Sequence, residues 1–578
     1  MNKLKTKTGM TLSENELSTY PRPALKRDSY QSLNGEWSYT VLNKVGDKKR
    51  SGIILVPFAI ESRLSKVEKP LLPSETLVYE LTFLTNDRIN KAGPLTLLHF
   101  EAVDYECEVY LNNTLLGTHK GGYTSFSYEI SKHLNKKGKN FLKVLVKDPT
   151  DEGLQERGKQ TLTPHGMWYT ATSGIYGSVW LESVPLTHLE NYYVDSDIQN
   201  NTIRFNVQVS EASFKYVLTI YKGKEPILVR DIVEPVTSLP MENPILWSPE
   251  APFLYTFTLK NKEETVHGYF GFRSVSIGLG YNEQPVMYLN EVPYFINGLL
   301  DQGYWPESGL TPPSEAALRH DILTAKSYGF NTLRKHIKVE SNLFYHLCDT
   351  LGMLVIQDIP NGGSYSFRTM SVYPTIGLKK ANDTKYKKFG RSDSENRNEY
   401  YELLEATIKR LRKHPSIVIW CPFNEGWGQF DAQLVTKRIR ELDKTRLIDS
   451  TSGWFDQGVG DFNSVHTYFG RLKQPKADGR IAFISEFGGY SLPLEFHRWN
   501  EEKEYGYKKF KTISELLTAF KNLYLEEVYP LFYEGLGGVI YTQLSDVEEE
   551  TNGLMTYDRH INKLPVDQIQ ALFKDLHY

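Results

Sequence analysis

From about Gly278 onward the chain alternates short apolar runs with segments of helical period, and this rhythm constrains the fold more than any other feature. The strand-like runs fall at Tyr294–Gly298, Thr332–Ile337, Leu354–Asp358, Val418–Glu425, Leu447–Ser452, Ser464–Tyr468, Ala482–Glu486 and Gly538–Gln543. Helices are predicted at Ser314–Tyr328, Ser341–Leu351, Glu399–Lys413, Asp431–Asp443, Ser514–Tyr529 and Val566–Leu576, with Ser314 as an N-cap and Gly329 just past the first C-terminus. Strand-helix alternation over roughly 300 residues favours a parallel (β/α)8 TIM barrel over a doubly wound sheet.

Upstream the rhythm is different. From about Gln31 to Glu182, short alternating segments such as Cys107–Leu111 and Phe141–Val146 are broken by Gly, Asn and Pro and predict a β-sandwich. Asn112-Asn113 reads as a hairpin turn between two of its strands. A second alternating block, Val184 to Ile277, includes Ile203–Val209 and Leu254–Leu259 and has the length of one immunoglobulin-like sandwich. The expected division is therefore 1–184, 185–278 and 279–578, consistent with 578 residues being too many for a single core.

A formal net charge of -3 gives no electrostatic case for nucleic acid or an anionic membrane. No run approaches the roughly 18 apolar residues of a membrane span. The basic start Met1–Lys7 lacks the apolar stretch of a signal peptide, and Cys107, Cys348 and Cys421 are too scattered for a disulfide framework or zinc site. These features lead to the expectation of a cytoplasmic protein with no metal or cofactor.

Two strand-like runs end on carboxylates rather than turns. Ile417-Val418-Ile419-Trp420-Cys421-Pro422-Phe423 leads into Asn424-Glu425, and Ile481-Ala482-Phe483-Ile484-Ser485 leads into Glu486. Barrel strands deliver such tips to one rim. Breaking an acetal near neutral pH takes one carboxylic acid to protonate the leaving oxygen and one carboxylate to face the developing oxocarbenium charge. A lone strand-end Glu is more often a solvated rim residue, but two in matching contexts, one after Asn, point to that chemistry.

Other candidates are weaker. Arg334 and His336 leave the second strand and Asp358 ends the third, where it could accept from a sugar hydroxyl or cap a helix. The loop from Asp301 to Trp305 and the aromatic rings of Trp427 and Trp454 could form a sugar platform or simply pack. His466 could touch a hydroxyl, although a satisfied buried histidine is the default. The acidic run Asp546-Val547-Glu548-Glu549-Glu550 reads first as a solvated face, and Gly458-Val459-Gly460 lacks the setting of a phosphate loop.

Leu33-Asn34-Gly35-Glu36-Trp37, Ser173-Gly174-Ile175-Tyr176-Gly177-Ser178-Val179-Trp180-Leu181-Glu182, Phe270-Gly271-Phe272-Arg273, Gly329–His336, Asn424-Glu425 and Ser485-Glu486-Phe487-Gly488 together resemble glycoside hydrolase family 2 over nearly the whole chain. The resemblance implies a jelly-roll first domain, no cofactor, and a retaining exo-β-glycosidase acting on small glycosides or oligosaccharide ends. It makes Glu425 the acid/base, Glu486 the nucleophile, Arg334 an orienting group, and Tyr468 a hydrogen-bond donor to the nucleophile. Asn424 would bind the sugar 2-hydroxyl. Glu550-Thr551-Asn552 stands where the family's β-glucuronidases carry Asn-x-Lys, so a neutral sugar, β-galactoside first, is expected over a uronate. β-Glucuronidase, β-mannosidase and an inactive carbohydrate-binding protein remain as alternatives, with a homo-oligomer possible.

Overall fold

The computed structural model describes residues 4–375, 377–378 and 380–578, so Met1-Asn2-Lys3 of the basic start lie outside the described residues. In the first sandwich, strands such as Asn140–Lys147 bury every second side chain and pair antiparallel with Thr76–Phe83. A six-stranded sheet runs from Lys48–Val56 to Thr114–Lys120, and a four-stranded sheet accompanies it. Trp37, Tyr79, Phe100, Val109 and Leu181 share one core between them. Asn112 and Asn113 both take positive φ, 50° and 67°, and join Leu111 to Thr114 as a type I′ hairpin turn.

A five-stranded and a three-stranded sheet form the second sandwich around Tyr192, Phe205, Leu218 and Phe257. One strand of the larger sheet, Leu25–Lys26, comes from the amino-terminal region and pairs with Gly268 and His267. Next, the hairpin Val275–Leu279 with Pro285–Leu289 places Met287 and Leu289 in the apolar cluster that fills the barrel interior.

Among the described residues the barrel has eight parallel strands: β1 (Ile296–Asp301), β2 (Thr332–Lys335), β3 (Leu354–Asp358), β4 (Ile417–Cys421), β5 (Leu447–Ile448), β6 (Phe462–Thr467), β7 (Ile481–Gly488) and β8 (Gly538–Thr542). Side-chain parity sorts most of the strands. Ile296, Leu300, Leu354, Ile356, Phe462, Ile481 and Phe483 fill the interior, whereas Leu299, Leu333, Val355, Ala482 and Ile484 meet the helical layer. Between β5 and β6 no ladder forms, and Asp461 bridges the seam: its N–H donates to Ile448 O (2.8 Å) and its carboxylate accepts from Ile448 N (2.7 Å).

Helix α1 (Glu315–Ser327) starts at Ser314, whose side chain accepts from Ala317 N, and α2 (Asn342–Leu351) ends on Gly352 at φ 74°. α3 (Ser394–Leu411) begins ahead of the predicted Glu399 because Asp393 caps it, accepting from Asn396 N. α4 spans Ala432–Leu442. α5 (Ile513–Leu523) opens on a Thr512–Glu515 capping box, earlier than Ser514. Beyond it the ladder widens into a π-turn, Tyr524–Val528, just before Pro530, which has no N–H to continue regular bonding.

Candidate active site

Strand alternation alone would send Glu486 outward. Ala482 and Ile484 face the helices, so position 486 has their parity. A β-bulge intervenes: Val465 pairs with Ile484 but His466 pairs with Glu486, and the β7–β8 register skips from Ile484 to Phe487. Two consecutive residues, Ser485 and Glu486, therefore turn inward, which is the re-aiming that bulges produce next to functional sites.

Glu425 arrives differently. Strand β4 ends at Cys421, short of the predicted Glu425, and the carboxylate rides on a tight loop after it. Its φ is 52°, and Gly426 follows at 73°. A side chain on Gly426 would strike Phe455 at 2.3 Å, so only glycine lets the loop fold back. The loop is tied to the β5 exit, with Glu425 N donating to Ser452 O (2.8 Å). A left-handed non-glycine residue costs on the order of 1–3 kcal/mol and persists where its surroundings over-determine it.

The two carboxylates meet. An oxygen of Glu425, an oxygen of Glu486 and a nitrogen of His466 all lie within 4.8 Å of one another. His466 bridges them: Nδ1 is 2.8 Å from Glu425 Oε1 and Nε2 is 3.5 Å from Glu486 Oε1. Such a trio could ligate a cation, but the Arg334 guanidinium, 3.0 Å from Glu486, already supplies positive charge.

Arg334 is wholly buried and organises the floor. It binds Asp358 through Nε and a terminal nitrogen (3.0 Å each), and reaches Glu486 Oε1 (3.0 Å), Ser485 O (3.1 Å) and Asn424 Oδ1 (2.8 Å). This fixes the Asn424 amide with its NH2 end unused among the described residues, ready to donate. Tyr468 OH donates to Glu486 Oε2, and its ring stacks on Tyr507 at 3.7 Å. Burial alone would raise the Glu486 pKa, but His466, His336, Arg334 and Lys159 together pull it down to about 2. Of these, Arg334 is a permanent charge. The stability that this ionised carboxylate contributes is complete above the ordinary carboxylate range and is lost as pH falls toward about 2.

Several sequence expectations change. Asp358 is not a free hydroxyl acceptor: it is 1% exposed, receives Arg334 and His336 Nδ1 (2.9 Å), and is held at a pKa of about 2, burial being outweighed by Arg334 and His336. Asp301 belongs to β1 rather than to a loop and has the outward parity of Leu299, so its carboxylate takes Lys335 Nζ (2.6 Å) and Gly303 N (2.9 Å). Trp305 is 2% exposed and lies beneath Lys338 and Arg559, which leaves no face for a sugar.

Trp427 is also buried, packed against Trp168 (5.3 Å), Tyr365 (5.8 Å) and Arg157 (5.1 Å). The half-buried rings of Trp168 and Tyr365, rather than Trp427 itself, present aromatic surface at this edge, and Glu425 lies near enough to raise the Tyr365 pKa after burial has done so. Trp454 packs against His466 at 5.3 Å.

The acidic run is no solvated face. Glu548 accepts from Thr170 N (2.9 Å), Glu549 from Gly166 N (2.9 Å), and Glu550 from Tyr169 OH, so all three clip the β8 exit loop to the first sandwich. Burial raises Glu548 to about 7. Its contribution to the docked state is present when it is protonated and fades as pH rises through about 7. The same sandwich sends Lys159 toward the site. Its half-buried side chain makes no hydrogen bond or ion pair among the described residues, and its charge acts on both Glu486 and His336. Neither contact has a local sequence signature, because each joins segments hundreds of residues apart.

Comparison with known proteins fits this arrangement. Family models match the chain at residues 52–177 (glycosyl hydrolase 2 galactose-binding domain-like), 187–273 (glycosyl hydrolases family 2) and 283–480 (glycosyl hydrolases family 2, TIM barrel domain). A bulge-aimed carboxylate and a loop-borne carboxylate at the C-terminal rim of a barrel behind two sandwiches define a carbohydrate-hydrolase architecture. The chain belongs to glycoside hydrolase family 2. It is 25% identical over 464 residues to a β-galactosidase of Thermoanaerobacter pseudethanolicus, an alignment covering 74% of this chain and 58% of that protein. It thus spans little more than half of that relative's length. Similar solved folds include a β-D-glucuronidase from Dictyoglomus thermophilum (TM-score 0.74, 18% identity, 96% and 98% of the two chains). A family 2 β-galacturonidase from Eisenbergiella tayi, bound to galacturonate, gives a TM-score of 0.70 at 19% identity, covering 96% and 99%.

Proposed function

We propose that this chain is a retaining exo-β-glycosidase that works by double displacement, with Glu486 as nucleophile and Glu425 as acid/base. The observation carrying this reading is the separation of under 4.8 Å between carboxylate oxygens. Retaining enzymes hold the two carboxyls about 5–5.5 Å apart, whereas inverting ones leave about 6.5–9.5 Å for a water. Roles follow from surroundings. Glu486 is 5% exposed and kept anionic by Arg334 and Tyr468, which suits attack on the anomeric carbon. Glu425, with 24% side-chain exposure, sits nearer the mouth, where a departing aglycone needs its proton and a water must later be activated.

Trapping with 2-fluoro glycosides tests this reading: the label is expected on Glu486, and hydrolysis followed by NMR is expected to show retained configuration. Inverted product, or label on another residue, overturns it. Tyr468→Phe removes one donor to the nucleophile, so the Glu486 pKa moves back up and the acid limb of the kcat/KM profile shifts to higher pH. Turnover is expected to fall about 10- to 100-fold, the value of one charged hydrogen bond.

Two observations bear on the sugar. Glu550, on the β8 exit loop with its oxygens held by Asn552 and Tyr169, supports the neutral, β-galactoside-type reading, since a negative charge there repels uronates. Lys159 favours a second reading, a carboxylated sugar, because its half-buried ammonium, in no ion pair among the described residues, is matched by a uronate carboxylate. Aryl β-galactosides, β-glucuronides and β-galacturonides compared on the native chain and Lys159→Ala decide between them. If a uronate is the substrate, the variant loses about 10- to 100-fold in kcat/KM on the uronide and little on the galactoside. Equal, small effects on all three leave the neutral sugar.

A further inference from the structure

Away from the glutamate pair, two loops at the exits of β7 and β8 bring together His497, Asp558 and His560, with one potential ligand atom from each lying within 4.8 Å of the others. His497 Nδ1 is 2.7 Å from Asp558 Oδ2, and His560 Nδ1 is 3.5 Å from the same oxygen. The second carboxylate oxygen is already committed: Asp558 Oδ1 accepts from Thr556 Oγ1 (2.6 Å) and from His560 N (3.1 Å). The carboxylate is therefore buried and pinned on one side, and offers its free oxygen to two imidazoles on the other.

We propose that His497, Asp558 and His560 form a binding site for a divalent transition metal of the zinc class, which staples the β7 and β8 exit loops together. Two imidazoles and a carboxylate are the donor set such ions prefer over calcium or magnesium. Tetrahedral coordination at about 2.0–2.2 Å sets neighbouring ligand atoms roughly 3.3–3.6 Å apart. The His560 contact is already in that range, and His497 needs to withdraw by under about 1 Å, a side-chain adjustment available at 26% exposure. The bonds from Thr556 and the His560 backbone are the outer support that orients a ligating carboxylate. His560 is exposed, so the fourth position opens to solvent, and the site takes the ion from solution without unfolding.

The ion has loops to hold in place. Trp499, two residues from His497, packs edge-to-face on Tyr557 at 5.7 Å, and Arg559 bonds Tyr304 O and Asp321 across the barrel rim. This staple does not depend on the glycosidase reading. The sequence offers no warning of it, since His497 and His560 sit in different loops and no short-spaced ligand motif links them.

The test is titration of tag-free, chelator-treated chain with Zn2+ by calorimetry, and with Co2+ by visible absorption. One ion per chain, the spectrum of low-coordinate Co2+, and a Zn2+-dependent rise in Tm are expected. His560→Ala, at an exposed position, is expected to weaken Zn2+ binding at least about tenfold and to abolish the Tm rise. His497→Ala provides the second variant, with circular dichroism and metal-free Tm checking that it folds. Absence of saturable binding, or binding with the same affinity in both variants, overturns the proposal.

Discussion

Glu486→Gln is expected to lower turnover of aryl β-glycosides by at least about 10^4-fold while leaving Tm within a few degrees of the parent. The amide keeps the shape but cannot attack the anomeric carbon, and losing a covalent nucleophile removes a whole step rather than one contact. The loss of stability stays small for an electrostatic reason. The buried floor holds one permanent cation, Arg334, against two anions, Asp358 and Glu486. Neutralising Glu486 leaves Arg334 balanced by its two-nitrogen contact with Asp358, so no buried charge is stranded. Steady-state kinetics and thermal melts on the same preparation check both halves. A variant retaining more than about a hundredth of the activity would remove Glu486 from the nucleophile's role.

Glu425→Ala has the second largest effect, and its size should depend on the leaving group. On substrates with poor leaving groups a loss of about 10^2- to 10^4-fold is expected, the range of general acid–base catalysis. On activated aryl glycosides the first step needs little protonation, so the covalent intermediate should accumulate and deglycosylation should limit the rate. Azide, small enough to occupy the space vacated beside His466, should then restore turnover and yield a glycosyl azide of retained configuration. Lack of rescue, or an azide of inverted configuration, would assign the acid/base role to another group.

The sequence revealed the parts of this site that depend on local pattern and hid those that depend on register. The strand-helix rhythm and the hairpin at Asn112-Asn113 are local, and both appear where periodicity and turn chemistry placed them. Glu486 was readable as a strand-end carboxylate, yet the bulge that turns it inward is a property of its pairing with β6 and β8. Asp301 shows the reverse case. A strand running three residues further than predicted carries it to the opposite face, because parity reverses with each residue. Asp358 was placed correctly at the end of its strand, but its two-nitrogen hold on Arg334 makes it a support for Glu486 rather than a free acceptor. The acidic run misled for a thermodynamic reason. Like charges in sequence are usually solvated, and here each of the three glutamates finds a separate donor on the first sandwich.

That last feature bears on how the molecule can be taken apart. The sandwich whose Lys159 charge acts on Glu486 is the same body that satisfies Glu548, Glu549 and Glu550, so severing the barrel from its companions would remove that charge and expose three glutamates at its lip. A truncated barrel, or one grafted behind foreign modules, inherits the chemistry of Glu425 and Glu486 but not the vessel in which they operate. Chimaeras in this family should therefore exchange the first sandwich and the β8 exit loop as a matched pair.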